Sequence, residues 1–389
     1  MNTQKIAITA FSSISPLGSD KDEVWNKYLN GKHCFTKRFL DQQDTFVAAL
    51  STNSKQLIAQ IRESDPKYKF LDDSVLFALA ASRKAVQNAG WNSEDVFGIN
   101  IGSSRGATDL FEKHYAEYIE TGKAQTLASP TTTLGNISSW IAHDLQSAGP
   151  EISHSITCST ALHSLLNGVA WLKSGMADKF LVGGSEAPLT DFTIGQMRAL
   201  KIYSRIDQEN DSWPNLAFDF EKTQNTMILG EGAAVCCLES GEKENAIAYV
   251  TGVGYATEIL EHNISISAEA DCFQKSMKMA LKDIDLDSVD VIVMHAPGTI
   301  KGDLTELRAI EKVFGSKQPL LTTNKWKIGH TFGASGILSV ELALLMMEHD
   351  IFIETPFSKA INKDRSIKKV LINAVGFGGN AVSILIEKA

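Results

Sequence analysis

The chain has 389 residues, which is long for a single hydrophobic core and predicts two domains or a duplicated unit. Hydrophobic residues make up 43% of the chain and charged residues 21%, an ordinary balance for a soluble globular protein. The net charge of −9 argues against a broad nucleic-acid surface, and no apolar run is long enough to predict a membrane span.

Two further features bear on the cellular setting. The five cysteines are an odd number and lack C-x-x-C spacing, so a metal site and a disulfide framework are both poor interpretations. The N-terminal M-N-T-Q-K-I-A-I-T-A shows no basic segment followed by a long apolar one, and it therefore predicts no signal peptide. We expect a protein of the reducing cytoplasm.

Apolar patterns in the first part of the chain predict alternating strands and helices. The predicted strands cover residues 5–11, 96–102, 152–157, 179–184 and 230–239. The predicted helices cover residues 21–29, 72–89, 110–120, 131–145 and the stretch that follows Cys158 up to Gly175. Residues 32–69 are predicted to be irregular, and a long polar and aromatic region extends from 184 to about 226.

The second part of the chain repeats this alternation. Its predicted strands cover residues 246–253, 289–294, 319–323, 369–375 and 382–386, and its helices cover 272–281, 303–314 and 336–347. The segment K-I-A-I-T-A-F-S-S near the N-terminus is echoed by A-I-A-Y-V-T-G-V-G at 246–254, which indicates duplication of one unit. Strands that alternate with helices predict mostly parallel sheets covered by helices.

Cys158 lies where a short β-prone run gives way to a helix. Ser159 or Thr160 can cap that helix, and its free N–H groups and dipole favour a thiolate at the neighbouring cysteine. A buried core cysteine is the alternative interpretation. The adjacent Cys236 and Cys237 are interpreted as core residues of a strand.

Three glycine-rich turns collect polar residues elsewhere. M-H-A-P-G-T-I-K-G-D-L-T-E (294–306) and N-K-W-K-I-G-H-T-F-G-A-S-G (324–336) each contain a histidine, and G-F-G-G (376–379) follows the next-to-last strand. His295 or His330 alone is more often structural, but two such histidines, with Glu306 and Lys325 as titratable neighbours that could pair, suggest acid/base groups for a cysteine nucleophile. The turn S-S-R-G-A (103–107) could cradle a substrate or reverse the chain.

In order and separation, T-C-S-T-A-L-H, H-A-P-G-T-I-K-G-D, K-W-K-I-G-H-T-F-G-A-S-G and G-F-G-G resemble the motifs of β-ketoacyl-[acyl-carrier-protein] synthases of the thiolase-like superfamily. The resemblance covers essentially the whole chain. It implies an α/β protein with a five-layered αβαβα fold, built from two duplicated halves with mixed, mostly parallel sheets. We expect residues 1–244 to form the half with Cys158, and residues 245–389 the half with His295 and His330.

The resemblance also implies the catalytic roles. Cys158 corresponds to the nucleophile, His295 and His330 complete a Cys–His–His triad, and Lys325 and Glu306 correspond to a supporting pair. The implied reaction is a decarboxylative Claisen condensation, in which malonyl-carrier extends an acyl group held as a thioester on Cys158 by two carbons. No metal or redox cofactor is implied, because the substrates arrive on the phosphopantetheine arm of a carrier protein.

The implied gate and pocket depart from the family pattern. Phe377 corresponds to the gating residue, and its backbone N–H and that of Cys158 correspond to the oxyanion hole. Val375 replaces a phenylalanine, Pro297 stiffens the first histidine turn, and the loop L-A-F-D-F-E-K-T-Q-N-T-M-I (216–228) lacks the usual Arg-Asp-Gly. An intact triad with an altered pocket indicates a specialised synthase, and the S-S-R-G-A turn resembles ketosynthases of aryl-polyene or flexirubin-type pathways.

The implied partners are an acyl carrier protein and a second ketosynthase-like subunit, in a homodimer or a heterodimer. Four basic residues could receive the acidic carrier protein: Lys201, Arg205, Lys275 and Lys278. Two alternatives stay open. The chain could be a chain-length-factor-like partner subunit, which Cys158 argues against, or a thiolase-type acyltransferase, which the two histidines argue against.

Overall fold

The computed structural model describes residues 4–134, 136–205, 212–259, 267–317, 319–358 and 366–389. The strands of the N-terminal half are β1 (Ile6–Ile14), β2 (Thr36–Leu40), β3 (Gln43–Val47), β4 (Gly98–Gly102), β5 (Glu151–Ile152), β6 (Lys179–Glu186) and β7 (Gly232–Ser240). Its helices are α1 (Lys21–Leu29), α2 (Thr52–Ser64), α3 (Asp73–Ala89), α4 (Thr108–Thr121), α5 (Ala128–Thr132), α6 (Asn136–Leu145), α7 (Thr160–Lys173) and α8 (Asp191–Ala199).

The C-terminal half is shorter. Its strands are β8 (Ala248–Thr257), β9 (Val291–Val293), β10 (Leu320–Thr322), β11 (Lys369–Gly376) and β12 (Asn380–Lys388). Its helices are α9 (Asp271–Ala280), α10 (Ile300–Phe314), α11 (Lys325–Ile328) and α12 (Ser335–His349).

The two halves have the same sheet topology. Their strands follow the orders β5-β4-β6-β7-β1 and β10-β9-β11-β12-β8, and strand directions match position by position. The arrays meet where β1 and β8 pair antiparallel, with Ala7 opposite Tyr249 and Ile8 opposite Ala248. These two strands carry the echoed segments of the sequence, so the predicted duplication is confirmed as a structural repeat.

The core has five layers. Helices α7 and α12 pack against each other between the two arrays, and every residue of α12 from Ser335 to Met347 is buried. Helices α3 and α6 cover the outer face of the N-terminal array, and α9 and α10 cover that of the C-terminal array. The αβαβα prediction is confirmed. Within the described residues, no helix has both the length and the apolar character that crossing a membrane requires.

Some predicted elements need correction. The large sheet is mixed as expected, but four of its strand pairs are parallel and five antiparallel, so the predicted parallel share was too high. Residues 32–69 form the β2–β3 hairpin and α2, and the region after β6 contains α8. Both helices start at hydroxyl N-caps, Ser51 and Thr190, but bury only three residues each, which is too few for a clear apolar period.

Candidate active site

The nucleophile turn (residues 155–160) is tightly bonded and strained. Thr157 has a φ of +46°, which a β-branched residue rarely adopts. The Thr160 hydroxyl accepts from the Ile156 N–H at 2.8 Å and donates to the Thr157 carbonyl at 2.6 Å. Ser159 Oγ donates to the Ile156 carbonyl at 3.0 Å, so the predicted serine cap of α7 is not formed. The turn places Cys158 just before the start of α7, as the sequence predicts.

The first histidine turn is held by two carboxylates of α10. Glu306 accepts the His295 and Ala296 N–H groups, each at 2.9 Å, through its two oxygens. Asp303 accepts the Gly298 N–H at 3.0 Å and forms a buried ion pair with Lys222 at 2.8 Å. These bonds fix the backbone that carries the His295 side chain.

The second histidine turn is held by the loop that precedes β7. The His330 N–H donates to the Ile228 carbonyl at 2.7 Å, and the His330 carbonyl accepts from the Gly230 N–H at 3.1 Å. The His330 ring lies at right angles to the His295 ring, with centroids 5.1 Å apart. The two turns therefore bring both imidazoles together, although 35 residues separate them in the chain.

Lys325 does not form the direct ion pair with Glu306 that the sequence suggests. Its Nζ donates to Ser339 Oγ on α12 at 3.1 Å. Burial lowers the pKa of Lys325 to about 8, while the fields of Glu306, Cys158 and Asp303 raise it. Among the described residues, Lys325 thus acts on the site as a buried positive charge without a bonded carboxylate.

The G-F-G-G turn packs directly against the nucleophile turn. A Cβ added to Gly376 would lie 1.9 Å from Thr157 Oγ1, so only glycine allows this approach. The Phe377 side chain is 38% exposed, and Val375 is partly buried behind it. The roles of Phe377 and Val375 as gate and pocket remain predictions, and so do the roles of the Cys158 and Phe377 N–H groups as an oxyanion hole.

The nucleophile turn, the two histidine turns and the G-F-G-G turn all line one cavity of about 260 Å³. It is lined by Cys158, both imidazoles, Val375, Gly376 and Phe377. Its more open side carries Asn225, Pro297, Thr299, Lys301 and Gly302, and its apolar wall consists of Met197, Leu200, Ile202, Met227 and Phe332. The structure thus places the predicted triad and gate around a single space.

The surroundings of Cys158 oppose the thiolate that the sequence predicts. Burial raises the pKa of the Cys158 thiol to about 12, with a further rise from Glu186 that Lys325 partly offsets. Loss of hydration therefore favours the neutral thiol, which is the opposite of the effect that the sequence predicts from the helix N-terminus.

Both histidines are neutral at rest. Burial lowers the pKa of His330 to about 3, with Lys325 contributing, and it lowers the pKa of His295 well below its ordinary value, with His330 and Lys325 contributing. Neither Nδ1 has a hydrogen-bond partner among the described residues, so no neighbour fixes the tautomer of either ring. Neutral imidazoles can both accept a proton and donate an N–H.

Sequence reasoning missed Glu186, at the end of β6. Its carboxyl is fully buried and accepts hydrogen bonds from Ser103 Oγ at 3.0 Å, the Gly333 N–H at 3.3 Å and the Ser104 N–H. Burial raises its pKa to about 7. The signal available in the sequence was a glutamate two residues after the buried strand K-F-L-V-G-G.

The basic residues expected to meet a carrier protein fall in two places. The Lys201 carbonyl accepts from Asn225 Nδ2, and Asn225 lines the cavity, so Lys201 and Arg205 lie on a segment beside its open side. Lys275 and Lys278 lie on α9, which packs on β8 and β12 and does not line the cavity.

Both halves of the chain match known protein families. Residues 3–244 match the family described as Beta-ketoacyl synthase, N-terminal domain, and residues 247–357 match Beta-ketoacyl synthase, C-terminal domain. The chain is similar to 3-oxoacyl-[acyl-carrier-protein] synthase 2 of Coxiella burnetii, at 26% identity over 421 residues, which covers 100% of this chain and 99% of that relative.

Two solved structures share the fold. One is a type II polyketide acyl-carrier protein in complex with its ketosynthase (TM-score 0.85, 21% identity, 99% of this chain and 100% of that chain). The other is a ketosynthase in complex with its chain length factor from Xenorhabdus doucetiae (TM-score 0.81, 20% identity, 99% of this chain and 98% of that chain). The family matches cover both halves, and this chain belongs to the β-ketoacyl synthase family.

Proposed function

We propose that this chain is a β-ketoacyl-[acyl-carrier-protein] synthase that condenses malonyl-carrier with an acyl group held on Cys158. The observation that carries the proposal is that Cys158, His295 and His330 line one cavity. A cysteine thiol supplies the nucleophile, and two neutral imidazoles supply the donors that an acyl-thioester condensation requires.

The first half-reaction loads the enzyme. The Cys158 sulfur attacks the carbonyl of an acyl-carrier thioester while its proton is relayed through a neutral imidazole to the departing carrier sulfur, because the raised pKa of the thiol keeps it protonated until attack and the low pKa values of the imidazoles disfavour a lasting imidazolium. The tetrahedral oxyanion forms beside the nucleophile turn and the Gly376–Phe377 segment, where we assign the N–H groups of Cys158 and Phe377 as its donors. Collapse breaks the carrier C–S bond, and the carrier thiolate takes up the proton.

The second half-reaction forms the carbon–carbon bond. Malonyl-carrier loses CO₂, and the electron pair moves into an enolate whose oxygen accepts N–H donors from His295 and His330. The enolate carbon attacks the acyl-Cys158 carbonyl, and Cys158 leaves as a thiolate that is reprotonated. The buried charge of Lys325 opposes protonation of both rings and so keeps them in the neutral form that this step needs. The proposed reaction needs no metal or redox cofactor.

The open side of the cavity suits a phosphopantetheine arm. Thr299 and the exposed Lys301 line it, next to the segment that carries Lys201. A hydroxyl can bond the amides of the arm, and a lysine favours its phosphodiester. We propose an acidic acyl carrier protein as the partner at this surface, in a reducing cytoplasm that keeps all five cysteines as free thiols.

We also propose a dimer with a second ketosynthase-like chain, identical or related. Helix α4 presents Phe111 and Tyr115, which stack on each other at 6.5 Å and are 60% and 58% exposed. Strand β5 is the edge strand of the N-terminal array, with β4 as its neighbour. Exposed aromatic residues on a helix and an open strand edge are each a kind of surface that a partner chain would cover.

The test is a reconstituted condensation. Purified protein, an acyl-carrier thioester and malonyl-carrier should yield 3-oxoacyl-carrier, detected by mass spectrometry. Cys158→Ala should abolish the product, whereas Cys272→Ala, in the buried face of α9, should retain it. Full turnover by the Cys158→Ala protein would overturn the proposal, and so would the absence of product from the native chain with its dimer partner present, as expected of a chain-length-factor-like subunit.

A further inference from the structure

Lys327 is a buried lysine that the proposed chemistry does not use. It lies on the short helix α11, two residues after Lys325 and three before His330, and its side chain is fully buried. Its Nζ lies 4.7 Å from the centroid of the Trp326 ring. Four oxygen atoms accept hydrogen bonds from this ammonium group, and we call them the ammonium cage. They are the backbone carbonyls of Lys27 (2.7 Å), Asn30 (2.5 Å) and Lys32 (2.6 Å), and Asn30 Oδ1 (3.2 Å).

The ammonium cage holds a positive charge without a counter-charge. Among the residues that the structure describes, no carboxylate forms an ion pair with Lys327. An ammonium has three N–H donors and no acceptor, so it suits a site made only of oxygens, and the end of α1 favours a cation. Burial lowers the pKa of Lys327 to about 8, while the field of Cys34 raises it. At neutral pH the side chain therefore keeps the charge and the donors that the cage requires.

The segment that forms the cage is also linked to the second histidine turn. The Cys34 N–H donates to the Lys327 carbonyl at 2.8 Å, so this segment bonds both the backbone and the side chain of Lys327. Phe35 packs with Ile228 in one apolar cluster, and the Ile228 carbonyl accepts from the His330 N–H at 2.7 Å. Residues 27–35 thus hold α11 directly, and they are linked to His330 through Ile228.

Helix α11 needs these bonds because it consists of only four residues. It begins with Lys325, whose charge lowers the pKa of both imidazoles. Asn324 and Lys325 each bond α12, at 3.1 Å, and Lys327 bonds the end of α1. One helical turn has little stability of its own. The bonds on its two sides therefore determine where the Lys325 charge and the His330 ring lie.

We propose that Lys327 is a positioning residue for the condensation step, which fixes α11 against the end of α1 and thereby holds Lys325 and His330 in register with the cavity. Lys327 does not line the cavity, so it acts through α11 and not by contact with substrate. This inference rests on the proposed function, because it concerns the second half-reaction of that chemistry.

The test is Lys327→Met, which keeps a long side chain but removes every donor to the cage. The rate of condensation per acylated Cys158 should fall by about tenfold or more, since a displacement of about 1 Å at a reacting group can cost about 10²-fold. Loading of Cys158 and the KM for malonyl-carrier should stay close to their native values. Single-turnover kinetics of the two half-reactions measures this split. Loss of folded protein alone would instead reduce both half-reactions in equal proportion.

The matched control is Lys84→Met. Lys84 also donates its ammonium to a backbone carbonyl beside α1, that of Ser19 at 3.0 Å, but Ser19 precedes the start of the helix and Lys84 makes no bond to α11 among the described residues. This variant should leave both half-reactions unchanged.

A second variant, Lys327→Ala, tests the cage by chemical rescue. Propylammonium has the N–H donors that the cage oxygens accept, whereas tetramethylammonium carries the same charge without a donor. Propylammonium should restore condensation by Lys327→Ala, and tetramethylammonium at the same concentration should not. If Lys327→Met does not fold, Lys327→Ala purified in propylammonium and exchanged into tetramethylammonium replaces it.

The outcomes separate the two proposals. If the native protein, with its dimer partner present, forms no 3-oxoacyl-carrier, the proposed function fails. If the native protein condenses and Lys327→Met condenses at the native rate, or loses loading and condensation equally, the inference about Lys327 is overturned while the proposed function stands. Equal condensation by Lys327→Ala in the two ammonium salts overturns it as well.

Discussion

The two halves of the molecule repeat one topology but contribute different parts of the site. Three pairs of turns can be compared: those after β4 and β9, those before α7 and α12, and those after β6 and β11. At or next to these turns the N-terminal half carries Arg105, Cys158 and Glu186, and the C-terminal half carries His295, His330 and Phe377. The repeat provides three pairs of equivalent turns, and the two members of each pair carry different side chains.

The connections that follow the central strands differ most. Strands β11 and β12 are joined by the short G-F-G-G turn, whereas the longer segment between β6 and β7 contains α8 and supplies Met197, Leu200 and Met227 to the cavity wall. The N-terminal half thus provides Cys158 and most of the apolar wall of the cavity. The C-terminal half provides the two imidazoles, Phe332 and Phe377. A duplicated fold can specialise in this way because turns can change without disturbing the buried helices α7 and α12.

The largest effects should come from removing the two imidazoles that the C-terminal half contributes. His295→Ala and His330→Ala should each lower condensation by about 10²–10⁴, and the double variant should lose less than the product of the two, since the rings act as one unit. Acyl loading should fall less, because the nucleophile turn remains intact. Single-turnover kinetics of the two half-reactions would measure this.

The matched control for the histidine variants is His349→Ala, because His349 stacks on Trp25 at 4.3 Å and lies outside the cavity. It should leave both half-reactions unchanged. Equal losses of loading and condensation in the His295 and His330 variants would contradict the division of chemistry between the halves.

A smaller effect is expected where the G-F-G-G turn of the C-terminal half contacts the nucleophile turn of the N-terminal half. Gly376→Ala would place a methyl group 1.9 Å from Thr157 Oγ1, so the gate or the nucleophile turn must shift. We expect a loss of about 1–3 kcal/mol in the free energy of unfolding, together with slower loading of Cys158. Denaturant unfolding would test this against Gly31→Ala, where an added Cβ meets nothing within 4 Å. Unchanged stability of Gly376→Ala would show that the close approach is not required.

A further expected effect, on stability and not on turnover, is a pH dependence of the free energy of unfolding. The pKa of His330 falls to about 3 in the folded protein, below its ordinary value of 6.5, so its stabilising contribution is present above pH 6.5 and is lost as the pH falls towards 3. His330→Asn should remove up to about 1.4 kcal/mol per pH unit from the acid-side slope. Urea unfolding between these pH values, with His349→Asn as the control, measures the slope. Parallel curves for native protein and His330→Asn would contradict the buried neutral histidine.

Three buried carboxyl groups should change the stability of the fold with pH in the opposite direction. Burial raises the pKa values of Glu186, Glu306 and Glu341 to about 7, so their contribution is present below their ordinary pKa of 4.5 and is lost as the pH rises through 7.

The sequence predicted the duplication, most of the core elements and the three residues that meet in the cavity, Cys158, His295 and His330, because strand-to-helix switches and apolar periods are local. It did not predict the partner of Lys325, since the contact with Ser339 depends on how α11 and α12 pack. It assigned Cys158 a thiolate from the helix end alone, and burial reversed that result. Glu186 was missed because a buried carboxylate is recognisable only from the turns that converge on it.

The most direct test of the account is a pulse–chase experiment on Cys158. Native protein is loaded with an acyl-carrier thioester, digested and analysed by mass spectrometry before and after addition of malonyl-carrier. We expect an acyl adduct on the Cys158 peptide that disappears as 3-oxoacyl-carrier forms in equal amount. An adduct confined to Cys34, Cys236, Cys237 or Cys272, or a Cys158 adduct that malonyl-carrier leaves untouched, would contradict it.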